Sequence, residues 1–222
     1  MSQQNEAVGM DSAAIGESDF GTMSFIVSQM LAKLNTVTLV QVVKCTNSGD
    51  ASPVGYVDVQ PMVHQMSGDR KATPHAVIYN IPYFRLQGGK NAIIIDPEVG
   101  DIGMCAFANR DISSVKATQA PATPASYRTF DWSDGLYFGG YLNGTPTQFV
   151  RFSSEGVHVH SGAKITLEAP EIDLKGAVNQ SGGAVKVATT LSAGEDVSAA
   201  GKSLKSHTHH ENDNHGETGA AT

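Results

Sequence analysis

The last third of this chain lacks the large side chains from which globular cores are usually built. After Phe152 there is no Phe, Tyr, Trp or Met over 70 residues. Small aliphatic pairs recur there instead, separated by Gly, Ser, Asp and Asn: Val157/Val159, Ile165/Leu167, Ile172/Leu174 and Val185/Val187. In an extended chain both members of such a pair lie on the same side, so each pair forms one narrow aliphatic face.

A segment of this composition cannot form a globular core by itself, because its few apolar groups do not offset the entropy of ordering it. It is either disordered or part of a thin core that several copies of the chain share. Disorder is typical of segments without β propensity or period, whereas β-forming aliphatic residues recur here every 6–8 residues. The pattern therefore predicts an intertwined, multichain β-structure over residues 153–205, whose narrow axis excludes large rings.

Four of the 8 histidines lie in the last seventeen residues, 206–222. His207 and His209 are two positions apart, so both imidazoles of an extended chain point to the same side. One chain would offer a metal two ligands, and three chains around an axis would offer six. Histidine-rich ends are also common in purification tags and solvated tails. The spacing alone leaves both interpretations open, and it gives no role to His210 or His215.

Composition argues against several functions. The net charge is -7 and the Lys and Arg residues are scattered, which is unlike a nucleic-acid-binding surface. Cys45 and Cys105 fit neither a disulfide framework nor a redox or metal motif, and their apolar surroundings predict buried thiols. No apolar run has the length of a membrane helix. The polar, acidic N-terminus is unlike a signal peptide, which indicates synthesis in the cytoplasm.

Residues 36–116 have the pattern of a small β-barrel. Short β-forming segments alternate there with turns rich in Gly, Asn and Asp. They are Val37–Val43, Tyr56–Pro61, Ala76–Phe84, Ala92–Asp96 and Ile102–Ala108. Five short strands that close on themselves leave no exposed edges, unlike an open sheet. We therefore predict an all-β fold that begins with an OB-like barrel.

The segments that flank this barrel have a different character. Residues 1–35 are predicted to be a polar N-terminal arm that ends in a short helix over residues 24–35. Residues 117–152 begin as a Pro-rich linker and continue as an aromatic block: Phe130, Trp132, Tyr137, Phe138, Tyr141, Phe149 and Phe152. So many rings need cover. We interpret the block as a collar packed between domains or subunits, with a carbohydrate-binding platform as the alternative.

The other histidines form no catalytic pattern. His158 and His160 alternate with valines, so they are interpreted as solvated side chains, with a second metal ring as the alternative. His64 and His75 stand apart from any recognisable nucleophile or acid–base partner. We therefore predict that the chain is not an enzyme and has no catalytic residues.

Five stretches of the sequence are distinctive when taken together. They are residues 57–61, 79–89, 96–103, 128–137 and 203–209, with the sequences VDVQP, YNIPYFRLQGG, DPEVGDIG, RTFDWSDGLY and SLKSHTH. In combination they resemble the central spike family of contractile-tail bacteriophages, the membrane-piercing needle beneath the tail baseplate. The resemblance extends from Thr36 to Gly219.

This resemblance implies a homotrimer at the baseplate tip of the virion. Its OB barrel would dock to the tail hub, its intertwined β-helix would form a shaft, and residues 206–222 would form a pointed apex. In this family a His-X-His pair from each of three chains holds one iron ion, and here that pair is His207 and His209. Six imidazoles in an octahedron suit Fe2+ or Ni2+ better than zinc.

The family's activity is mechanical, because sheath contraction drives the spike through the host outer membrane. Two other functions share parts of the pattern. The spike of a tailocin or of a type VI secretion apparatus would have the same tip chemistry. A trimeric adhesin would bind glycans through the aromatic block.

Overall fold

A computed structural model describes residues 19–66 and 71–208, and this part of the chain is mostly β with few helices. The helices are α1 (Asp19–Leu31), α2 (Ser113–Thr118) and a 3-10 turn (Trp132–Asp134). The strands are β1 (Val37–Cys45), β2 (Tyr56–Pro61), β3 (Gln65–Met66), β4 (Ala72–Thr73), β5 (Ile78–Pro82), β6 (Leu86–Gly88), β7 (Asn91–Ile93), β8 (Ile102–Phe107), β9 (Gly135–Gly139), β10 (Phe149–Ser153), β11 (Gly156–His160), β12 (Ser198–Ala199) and β13 (Lys202–Ser203). The chain divides into two units between Ala163 and Lys164.

The first unit contains a curled antiparallel sheet with the strand order β5-β2-β1-β8-β9. Strand β1 pairs with two neighbouring strands: its residues Val37–Gln41 pair with β8 and its residues Val40–Cys45 pair with β2. An irregularity between Val42 and Lys44 adds a residue to β1, and such bulges bend a strand and increase its twist. The edge strands approach each other where the Phe84 N–H donates to the Tyr137 carbonyl at 2.8 Å. The sheet is therefore a half-barrel.

The core of the first unit lies on one face of this sheet. Every second residue of β2 and β8 is buried, which is the alternation expected of a strand with one covered face. The buried apolar side chains are Val40, Val42, Val57, Val59, Ile78, Ile81, Tyr83, Cys105, Phe107 and Tyr137. The prediction that the cysteines are free and shielded holds for Cys105, which is buried, and in part for Cys45.

The fifth strand of the sheet differs from the sequence expectation. The run Ala92–Asp96 contributes β7, which pairs with β6 in a separate two-stranded hairpin. Strand β9 takes the edge position instead, although it lies in the predicted aromatic collar. The difference has a packing reason: Ile95 is 79% exposed, whereas the Tyr137 ring is 1% exposed and lies over Gly103. The Tyr137 ring occupies the space in the core that the predicted Ala92–Asp96 strand would have filled.

Helix α1 begins at Asp19, five residues before the predicted start, and none of its residues is buried. Its last turn tightens, since Ala32 N–H donates to Ser28 O while Leu34 N–H donates to Leu31 O. None of the helices in residues 19–66 and 71–208 is long and apolar enough to cross a bilayer.

The described part of the second unit, residues 164–208, contains a single pair of strands, β12 and β13. Its Val, Ile and Leu side chains remain exposed, with exposed fractions from 38% at Val197 to 73% at Val185. As the composition requires, one copy of the chain gives these residues no core of their own.

Candidate functional site

His207 follows a small hairpin that ends the described part of the second unit. The Leu204 N–H donates to the Val197 carbonyl at 2.7 Å, and the Ser206 N–H donates to the Ser203 hydroxyl at 3.0 Å. The hairpin turn is Ala200–Gly201, where φ is 49° and 78°. Two successive residues with positive φ are typical of the type I′ turn, which matches the twist of short hairpins.

A carboxylate fastens the base of this hairpin. The Lys205 N–H donates to Asp196 Oδ1 at 3.1 Å. The Ser203 hydroxyl and then the Lys205 N–H stabilise the ionised form, so they hold the pKa of Asp196 below its usual value. Asp196 therefore carries a negative charge near the start of the terminal segment at neutral pH.

The imidazole of His207 has a defined partner, because its Nδ1 lies 2.9 Å from the Leu204 carbonyl oxygen. A carbonyl only accepts hydrogen bonds, so Nδ1 carries the proton and the lone pair of the neutral ring lies on Nε2. A backbone carbonyl bonded to one ring nitrogen is the usual way in which proteins orient a metal-binding histidine. The donor chemistry at His207 therefore fits a metal ligand.

The second predicted ligand, His209, lies outside the described residues. Within residues 19–66 and 71–208 no group of three or more His, Cys, Asp or Glu side chains is placed to hold a metal ion. One chain thus supplies at most part of a ligand set from its described residues.

The four remaining histidines that the structure describes lie in the first unit, whereas His210 and His215 lie outside the described residues. His158 and His160 share one face of β11, with ring centroids 5.9 Å apart, and Phe149 of β10 packs against both. His75 packs on Trp132 at 4.8 Å between centroids, next to the core, while His64 is exposed. His158 and His160 are therefore placed by an aromatic contact across the hairpin.

The rings of the aromatic block do not share one surface. Tyr137 is in the core, and Trp132 packs edge-on against Phe107 with 4.9 Å between centroids. Phe138 stacks on Phe84 at 5.6 Å, whereas Phe152 is 77% exposed. Within one chain, the block therefore contributes Tyr137 and Phe138 to the edge strand β9, whereas Phe149 and Phe152 lie in the separate strand β10.

Two buried ionic clusters in the first unit were not anticipated from the sequence. In the first cluster, Arg85 donates to Asp96 at 2.5 Å and to the Ser52 carbonyl at 2.6 Å. The Tyr83 hydroxyl donates to the same Asp96 oxygen at 2.6 Å, and the Gly49 N–H donates to the other oxygen at 2.9 Å. These bonds tie the β1–β2 loop to the segment after β7.

The second cluster joins two carboxylates through one guanidinium. Arg128 donates to Asp134 at 2.6 and 2.8 Å and to Asp111 at 2.6 Å, and both carboxylates are fully covered. Asp134 also accepts from the Ile112 N–H at 3.0 Å. This cluster fastens α2 and the residues before β9 to each other.

In each cluster, hydrogen bonds hold one carboxylate in its charged form, Asp96 in the first and Asp111 in the second. Ser113 and then Ser126 donate to Asp111 and keep its pKa well below the usual range. Burial by itself raises the pKa of Asp96, but hydrogen bonds from Tyr83 and Arg85 outweigh it and the net shift is downward. Burial raises the pKa of the Cys105 thiol to about 12, so the thiol is protonated and unreactive.

These lowered pKa values predict that acid destabilises the first unit. An unfolded Asp titrates near pH 3.9, so above roughly pH 4 the folded state gains stability from Asp96 and Asp111. That stability is lost as the pH falls through the lower folded pKa values. We expect the urea midpoint to be level from about pH 5 to 7 and to fall below about pH 4. In Asp96→Asn the urea midpoint should fall less steeply below about pH 4. An equally steep fall would contradict the inference that ionised Asp96 stabilises the folded state.

The sequence signals for these clusters were weak. The stretches that carry the spike resemblance contain all four of these charged residues, Arg85, Asp96, Arg128 and Asp134, but nothing in their spacing shows which charges meet.

No protein-family model matches the chain, and no characterised protein matches it at significant similarity.

Proposed function

We propose that this chain is the central spike of a contractile phage tail, a structural virion protein at the tip of the baseplate. Three copies form the spike, with an OB-like barrel that docks to the tail hub and an intertwined β-helical shaft over residues 153–205. The apex, residues 206–222, holds one Fe2+ ion through His207 and His209 of each chain. On sheath contraction the spike is driven through the host outer membrane, and it catalyses no reaction.

The exposed aliphatic residues of the second unit carry this proposal. Ten Val, Ile and Leu side chains between Ile165 and Leu204 are exposed in the single chain. Fully burying one such side chain stabilises a protein by about 1.5–3 kcal/mol, so a shared axis supplies the stabilisation that a lone copy lacks. A core made only of small aliphatic groups also permits the narrow cross-section that a piercing shaft needs.

The environment of His207 supports the metal assignment. The Leu204 carbonyl orients the ring through Nδ1, and Nε2 is the nitrogen that would bind the ion. The ion would cross-link three chain ends that have little apolar surface, so its binding energy would add to their folding energy.

The dimensions of the shaft are sufficient for the mechanical role. Its 53 residues span at most about 175 Å when fully extended at ~3.3 Å per residue, and winding shortens this length. A bilayer with its headgroups is about 40–45 Å thick. The extended limit is about four times the thickness of the bilayer, so the shaft would still span the membrane if winding shortened it to about a quarter of that limit.

The decisive experiment measures metal content and mass together. Untagged protein is purified without chelator, its iron is determined by elemental analysis, and its mass is determined by light scattering. We expect a trimer with one iron per three chains. His207→Ala with His209→Ala should lose the iron and remain trimeric, because the shaft does not depend on the ion.

The chain provides a matched control in its other His-X-His pair. His158→Ala with His160→Ala removes the same number of imidazoles at the same spacing and should keep the iron. Iron that persists in the His207/His209 variant would contradict the apex assignment. A monomeric wild type would contradict the spike itself, and binding of the wild type to a glycan array would favour an adhesin.

A further inference from the structure

Helix α1 carries an apolar stripe whose spacing is that of a coiled-coil seam. Its members follow one another at intervals of 3, 4, 3 and 4 residues: Phe20, Met23, Val27, Met30 and Leu34. This is the alternation of a and d positions in a heptad repeat, where two or more helices pack side by side. Leu34 lies just beyond α1, on the tightened turn that extends it.

The seam faces away from the covered side of the helix. Its five side chains are exposed, from 43% at Leu34 to 85% at Phe20. The half-buried positions within α1 are Gly21, Phe25 and Gln29, and at 100° per residue all three lie on the side opposite the seam. The apolar stripe therefore requires a second surface to cover it.

The chemistry of the seam indicates what kind of surface covers it. Ile26 and Leu31 flank it at g and e positions, which makes the apolar surface wider than the strict a and d seam of a two-helix coil. Helices that lie on membranes carry Lys and Arg on their polar face, and Asp19–Leu31 contains neither. A helix of 13 residues is also marginal in water without packing. Packing against copies of the same helix fits the wide apolar surface, explains why the helix needs no Lys or Arg, and stabilises a helix that is too short to be stable alone.

We propose that the α1 helices of three copies of this chain pack against one another as a short parallel bundle through Phe20, Met23, Val27, Met30 and Leu34. This inference rests on the proposed trimer and gives it a second point of association, distant in sequence from the shaft. The bundle would hold the three sheet domains in register.

Disulfide trapping in the full-length chain tests the bundle. In Val27→Cys the new thiols lie at an a position, where neighbouring helices approach within the range of a disulfide. Ser28→Cys is the matched control, because it adds the same thiol one residue away on the side turned from the seam. After mild oxidation we expect Val27→Cys to give about five-fold more cross-linked dimer on a non-reducing gel than Ser28→Cys or the wild type.

Light scattering on the same samples separates this inference from the proposed function. Trimers in which both variants cross-link equally would overturn the helix bundle and would point to another protein as the occupant of the seam. Monomers would overturn the trimer and the bundle together. Trimers with selective cross-linking of Val27→Cys would support both.

Discussion

Gly103→Ala is expected to lower the free energy of unfolding of the first unit by about 3 kcal/mol, the upper end of the usual cost of overpacking. A Cβ at this position would lie 2.4 Å from Cε2 of Tyr137 and 2.6 Å from the Phe138 carbonyl oxygen. The ring is held in the core and the carbonyl belongs to β9, so neither can move without separating β8 from β9. Urea unfolding followed by tryptophan fluorescence measures the loss, since Trp132 packs on this core.

Gly88→Ala is the matched control for this substitution. Gly88 lies at the end of β6, where an added Cβ would meet nothing within 4 Å and the backbone has no positive φ. Gly88→Ala should change the free energy of unfolding of the first unit by less than about 0.5 kcal/mol. Equal effects of the two substitutions would show that the Tyr137 ring does not rest on Gly103.

Asp134→Ala is expected to destabilise the first unit by about 3 kcal/mol. The substitution removes a fully buried carboxylate that accepts two hydrogen bonds from Arg128 and one from the Ile112 N–H. It leaves the partly buried Ile112 N–H without this acceptor, and of the two buried carboxylates Arg128 keeps only Asp111. Because Arg128 is one-third exposed and retains contact with water, the expected cost is at the lower end of the range for broken buried ion pairs.

The same change at an exposed ion pair should have almost no effect. Asp173 lies 3.4 Å from Lys175, and its side chain is 67% exposed. Exposed pairs of this kind contribute about 0–1 kcal/mol, so Asp173→Ala should leave the unfolding of the first unit unchanged. A loss at Asp134 no greater than that at Asp173 would mean that the Arg128 cluster does not fasten the segment before β9.

The sequence by itself determined the features that depend on local pattern. β-forming runs bounded by turn residues predicted β1, β2 and β8 nearly at their observed bounds, and every second residue of β2 and β8 is buried. The lack of large apolar side chains after Phe152 predicted that this region of a single chain would have no core. The structure agrees, because the aliphatic side chains of the second unit are exposed. The His-X-His spacing left a metal site and a solvated tail both open, and the metal site that the family resemblance implies stays a prediction.

Only the tertiary structure decided which distant segments meet. Strand β9 replaces the Ala92–Asp96 run at the sheet edge because the Tyr137 ring fits the space above Gly103, a match between residues 34 positions apart that no local period records. The Arg128 and Arg85 clusters likewise depend on which carboxylates the folded chain brings beside each guanidinium. Periodicity reports which face of a strand is buried, whereas shape and charge complementarity select its neighbours.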